Sequence, residues 1–138
     1  MTETKLGDLK AVSDSTLLES TKRRVGEERA ATYDILLYLA EIQSRMLYAK
    51  RGYGSLYDMC LQELGYSAGA AYRRITAMKL AQDIPEVKGA LETGTLSLTT
   101  ASTLQSFFDR EKRDQKKTYS TTQKLALVNE LSGRSKRE

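Results

Sequence analysis

Histidine is absent from all 138 residues, and cysteine and proline occur once each. Without an imidazole, no residue can act as the histidine base of a nucleophilic triad or as a histidine ligand to zinc, which removes a large share of hydrolase mechanisms. Cys60 stands between Met59 and Leu61 in an apolar run, with no partner for an intramolecular disulfide and no second thiol for a metal site. It reads as a small core residue. No run approaches the roughly 20 apolar residues of a membrane span. The opening MTETKLGDLK also lacks the apolar stretch of a secretory signal, so a reducing cytoplasm is expected. A lone proline, at position 85, leaves long stretches free for helix, and nothing alternates with period two.

What is present is helical and globular. Apolar residues make up 40% and charged residues 29%, with Leu, Ala, Glu, Lys and Arg frequent. The expectation is an all-α fold: a helical bundle with one long N-terminal helix and a helix-turn-helix. The chain divides into a disordered tail over 1–12, a helical domain over 13–110 with the helix-turn-helix at 55–82, and a basic C-terminal segment over 111–138 with a terminal helix. Charge is uneven. Residues 1–109 carry 13 Lys/Arg against 14 Asp/Glu, net −1, whereas residues 110–138 carry 9 against 4, net +5. A basic end is attracted to nucleic acid, or is simply solvated.

Ser13 or Asp14 can cap a first helix that persists to about Lys50, interrupted only by Gly26. Leu18, Val25, Thr32, Leu39 and Met46 recur every seven residues, and Ile35 and Ile42 fall three after members of that row. This is a coiled-coil-like seam, strongest from Thr32 onward. Either the rest of the chain packs along it, with Gly26 marking a bend, or the seam Thr32, Ile35, Leu39, Ile42 and Met46 pairs two copies in a homodimer. Further on, Ser55 caps a short helix to Leu64 that ends at Gly65, and Ser67 caps a helix to about Gln82. Pro85 sits in the first turn of another that stops at Gly94. Thr99 or Thr100 begins a fifth, reaching about Arg110. REKRDQKK is a solvated helix end or linker, Thr121 to Leu131 is a last amphipathic helix, Gly133 ends it, and RSKRE is left over.

The stretch YDMCLQELGYSAGAAYRRIT, from Tyr57 to Thr76, has the organisation of a helix-turn-helix. Cys60, Leu61 and Leu64 are expected to face the core, Gly65 to supply the turn, Tyr66 to plug the gap between helices, and Ser67 to restart the chain. On the second helix Ala71, Ile75 and Met78 form a core stripe. The opposite face presents Gly69, Arg73 and Thr76, with Tyr72 at its edge and Ser67 and Ala68 at the tip. Small residues there permit close approach to a groove, arginine can grip guanine with two hydrogen bonds, and tyrosine can reach a phosphate. Arg74 departs from the pattern, standing where an aliphatic residue is usual. Lys79, Lys112, Arg113, Lys116 and Lys117 are candidate phosphate contacts.

LGYSAGAAYRRI followed by IPEVKGALETGTLSLTTASTL is similar to the central domain of partition protein B. There a helix-turn-helix is followed by a leucine-rich helix, a turn matching Gly94, Leu96 and Ser97, and another helix. From about Ser13 to Glu138 the chain also resembles the N-terminal helical region of a family of bacterial HNH endonucleases, through SDSTLLES, the run from ERAATYDILLYLAEIQ to YRRI, the GTLSL turn and GRSKRE. Members of that family carry a His-Asn-His nuclease domain downstream. With no histidine here, the resemblance implies a non-catalytic, DNA-reading part of such a protein, as a fragment or a natural short form.

The expected partner is therefore double-stranded DNA, with no catalytic residues, metal or cofactor and no apparent small-molecule substrate. The alternative is a protein-interaction or dimerisation module without nucleic-acid contact. Glu27, Glu28, Asp34 and Glu41 could align on one helix face for carboxylate chemistry, but ordinary exposed charge explains them.

Overall fold

Ser13 takes an extended backbone and accepts a hydrogen bond from the Thr16 amide, which starts the longest helix of the protein. The computed structural model describes residues 6–133, and among them there are eight helices and no strand. They are α1 (Leu6–Leu9), α2 (Asp14–Ser44), α3 (Leu47–Lys50), α4 (Leu56–Gln62), α5 (Ala68–Asp83), α6 (Val87–Thr93), α7 (Leu98–Asp114) and α8 (Thr121–Leu131). The fold is all-α with a long N-terminal helix, as the composition and spacing predict.

α2 has 31 residues, roughly 46 Å at 1.5 Å each. It runs through Gly26 without a break; the chain turns instead at Met46, whose left-handed φ of 52° separates α2 from α3. Only Tyr33, Leu36 and Leu39 of α2 are buried, all in its second half. The first half leaves Leu17 and Leu18 exposed and is supported by its cap and by the pairs Glu19–Lys22 at 3.6 Å and Arg24–Glu27 at 3.4 Å. The stretch expected to be a disordered tail includes α1 and a turn leading to Ser13; its first five residues and the closing RSKRE lie outside the described residues.

α5 is the hub. It packs most extensively on α7, and also on α2 and α4, so it is buried on several sides rather than along one stripe. Ala71, Ala77, Met78 and Leu80 are essentially inaccessible. They join Leu36, Leu39, Cys60, Ile84, Val87, Leu96, Leu104 and Phe108 in one core. Burial of each such leucine contributes about 1.5–3 kcal/mol. Serines cap α4, α5, α7 and α8, namely Ser55, Ser67, Ser97 and Ser120, each accepting a backbone amide of the first turn. The cap of α7 is thus Ser97, ahead of the expected threonines. Gly65 and Gly94 take left-handed φ of 77° and 81°, which is what lets α4 turn into α5 and α6 turn toward α7.

The C-terminal segment joins the same core. Val128 is buried, the Phe107, Phe108 and Tyr119 rings lie 5.3–5.8 Å apart, and Lys124 pairs with Asp83 at the end of α5. No helix among the described residues is long and apolar enough to cross a membrane.

Candidate nucleic-acid interface

α4, the Gly65 turn and α5 form the expected helix-turn-helix arrangement, and local contacts hold it. The Tyr66 amide donates to the Cys60 carbonyl at 3.0 Å, closing the turn, and Ser67 accepts from the Ala70 amide at 3.2 Å, starting α5. Behind the turn, Arg51 Nε donates to Glu63 Oε1 at 2.7 Å and the Tyr53 hydroxyl donates to the same oxygen at 3.1 Å. These bonds, the arginine foremost, hold the Glu63 carboxyl below the usual carboxylate range. Cys60 is buried beneath the turn, and burial pushes its thiol up, so it is an unreactive packing residue.

The tip of α5 is accessible: Ser67, Ala68 and Gly69 are exposed, and Tyr72 is 52% exposed. Arg73 is half-buried and lies back along the helix, its Nη1 3.2 Å from where a Cβ on Gly69 would stand. The small residue at 69 thus carries the positive charge toward the tip, the direction long helical side chains favour. Lys79 is exposed two turns further along.

Thr76 is not on this surface. It is 5% exposed, because α5 is enclosed by α2, α4 and α7 at once, and the open strip is rotated toward Ala68, Tyr72 and Lys79. On the core side Ile75 is only half-buried and Leu64 is 44% exposed, against the expectation for both.

Beside α5, Tyr72 bonds Ser106 through the two hydroxyls at 2.6 Å. The two residues line a shallow cleft with Asp109, Arg110 and Arg113 of α7. Arg110 and Ser106 were not recognisable from sequence, since only the packing of α7 on α5 brings them next to Tyr72. Of the basic residues expected to touch phosphate, Arg113 alone shares this cleft. It is held at 2.9 Å by Asp114, whose carboxyl it keeps below the usual range, so its charge is partly compensated. Lys112, Lys116 and Lys117 are exposed near the end of α7, with Lys117 Nζ 4.8 Å from the Tyr119 ring centre.

The α2 seam is divided. Leu39 is buried in the chain's own core, while Thr32, Ile35 and Ile42 are half-buried and Met46 is 54% exposed. Next to it Leu37 and Tyr38 point outward, and Tyr38, Ile35, Ile42 and Leu64 line an apolar groove. Of the carboxylates on α2, Glu27 and Glu41 pair with Arg24 and Arg45 on the exposed surface.

Comparison with known proteins found no matching family model, no similar curated protein and no similar solved structure.

Proposed function

We propose that this chain is a non-catalytic DNA-binding module that presents the tip of α5 to the groove of a duplex. The observation that carries this reading is the Arg73 guanidinium lying over Gly69 at an exposed, serine-capped helix tip. In that position it can reach a base edge, while Tyr72, Arg110 and Lys79 lie to the side for phosphates. Ser67, Ala68 and Gly69 let the helix approach closely. Lys112, Arg113, Lys116 and Lys117 add a diffuse, salt-sensitive attraction. The resemblance to the helical region of bacterial HNH endonucleases and to partition protein B supports the same reading, and with it a bacterial cytoplasmic setting. Random-sequence duplex titrated at two salt concentrations, with the mass of the complex followed, tests the proposal. Affinity should fall steeply with salt, and Arg73→Ala should cost about 1–3 kcal/mol. An affinity for duplex untouched by Arg73→Ala sinks the assignment.

A second reading rests on a separate observation, the exposed Leu37 and Tyr38 beside the apolar groove of α2. This surface pairs two copies of the chain, replacing the Leu39-centred seam that the core already occupies. Tyr38→Asp, on a residue 73% exposed, should leave the fold intact and halve the mass in solution. A wild-type chain that is already monomeric at high concentration removes this reading.

A further inference from the structure

The shallow cleft beside the tip of α5 holds more hydrogen-bond donors than the chain itself uses. It measures about 530 Å³ and is lined by Tyr72 of α5 and six residues of α7. Ser102 lines it while only 4% exposed, and its hydroxyl has no hydrogen-bond partner among the described residues. A hydroxyl that deep is costly to leave unpaired unless something in the cleft accepts from it. One turn along α7, Ser106 and Tyr72 join their hydroxyls at 2.6 Å; this uses one of the two O–H groups and leaves the other to donate. Thr103 differs, because its hydroxyl already donates to the Thr99 carbonyl at 2.9 Å. Arg110 is exposed on the same cleft and makes no ion pair or hydrogen bond among the described residues, whereas Arg113 is held by Asp114.

Two hydroxyl donors and an unpaired guanidinium on one cleft call for a ligand with several acceptor oxygens and negative charge, which is what a phosphate group offers. Asp109 works against a free one. Its Oδ1 accepts from Gln105 Nε2 at 3.0 Å, and its charge repels an anion in the cleft. A phosphate carried by a larger molecule anchored alongside arrives at high effective concentration and overcomes that repulsion. Tyr72 marks where the anchor lies: it lines the cleft, and it follows Gly69 of the exposed α5 tip by three residues, almost one helical turn.

We propose that this cleft seats one backbone phosphodiester of the duplex whose groove takes the α5 tip, which makes α7 a second DNA-contacting helix. Arg110 grips the nonbridging oxygens, and Ser102 and the Tyr72–Ser106 pair donate to them, so that both helices hold the same phosphate. The inference rests on the duplex-binding reading but not on Arg73.

The probe is random-sequence duplex titrated into the ¹⁵N-labelled chain, with inorganic phosphate titrated separately. Duplex should move the Ser102, Thr103, Ser106 and Arg110 amides along the same binding curve as Ala68 and Gly69. Arg110→Gln should weaken duplex about threefold or more and lower the slope of log affinity against log salt by about one. Arg110→Lys and Ser102→Ala keep the charge, so each should weaken duplex about threefold or more at an unchanged slope, by loss of the guanidinium fork and of the buried donor. The spectrum of each variant verifies its fold. Wild-type affinity in both charge-keeping variants overturns the proposal, leaving only diffuse attraction to Arg110. Silent α7 amides beside responsive α5 tip amides overturn it as well, and the duplex-binding reading then stands; no response in either helix removes both. α7 amides that saturate with inorganic phosphate but ignore duplex also overturn it, in favour of a small-anion site. Duplex affinity lowered by Arg110→Gln and untouched by Arg73→Ala supports the cleft while sinking the Arg73 assignment.

Discussion

Arg73 and Arg74 are neighbours on α5, and each lies back along the helix over a small residue four positions earlier, Gly69 for the first and Ala70 for the second. Arg73 lies over the exposed tip. Arg74, one residue and about 100° further round the helix, meets the Tyr66 ring, and its Nε is shut away from water. Identical side chains therefore have two surroundings, and what separates them is which helix covers the side chain. α4 and its turn close over the Arg74 side, while the Arg73 side opens at the tip.

The harshest way to break the comparison is to remove the support common to both arginines. Leu80 is fully buried on α5, and Leu80→Ala should lose about 2–5 kcal/mol of stability in a denaturant titration, a large part of the total for a domain of this size. A loss under about 1 kcal/mol would mean that α5 is not the hub. A sharper comparison comes from the two arginines themselves. Arg73→Ala should cost the 1–3 kcal/mol of duplex affinity stated above and change stability by less than about 0.5 kcal/mol. Arg74→Ala should do the reverse, losing about 1 kcal/mol of stability with its Tyr66 contact and leaving duplex affinity within about twofold. If both variants act alike, the two faces are not distinct. Smaller again is Ser67→Ala, which removes the α5 cap and should cost about 1 kcal/mol, with amide exchange faster at Ala70 than at Leu80.

These outcomes also mark which features the sequence could reveal. Caps and stops were legible at Ser55, Ser67, Gly65 and Gly94, because each acts through its own neighbours within four residues. The bounds of α8 were legible for the same reason. Side-chain facing was not. Thr76 sits on the polar side of α5 by periodicity, but that rule assumes one buried face, and α5 has neighbours on three sides. Leu39 continues a seven-residue row, yet the row cannot tell a partner's helix from the chain's own. Arg110 and Ser106 reach Tyr72 across more than 30 residues of sequence, where no spacing rule operates. Nor did any local signal mark Met46 as the turn between α2 and α3; a non-glycine residue in the left-handed region is unusual, and Gly26 was the more obvious place for a break.

The finest test concerns how the turn ahead of α5 is held. Glu63 closes α4, and its carboxylate accepts from Arg51 and Tyr53, so the turn is tied to the loop that precedes α4. Because these bonds lower its pKa on folding, the stabilisation is complete above the ordinary value of about 4.5 and is lost as pH falls below that through the lowered value. Glu63→Gln has no such titration. Wild type should therefore exceed Glu63→Gln in thermal midpoint at neutral pH, and the gap should close below pH 4.5. The groups are exposed, so the gap is small, and added salt should narrow it further. A gap that is constant from about pH 7 to about pH 3 would show that the Glu63 carboxylate does not brace the turn. The turn would then rest on the Ser67 cap, the Tyr66–Cys60 bond and the packing of α4 on α5.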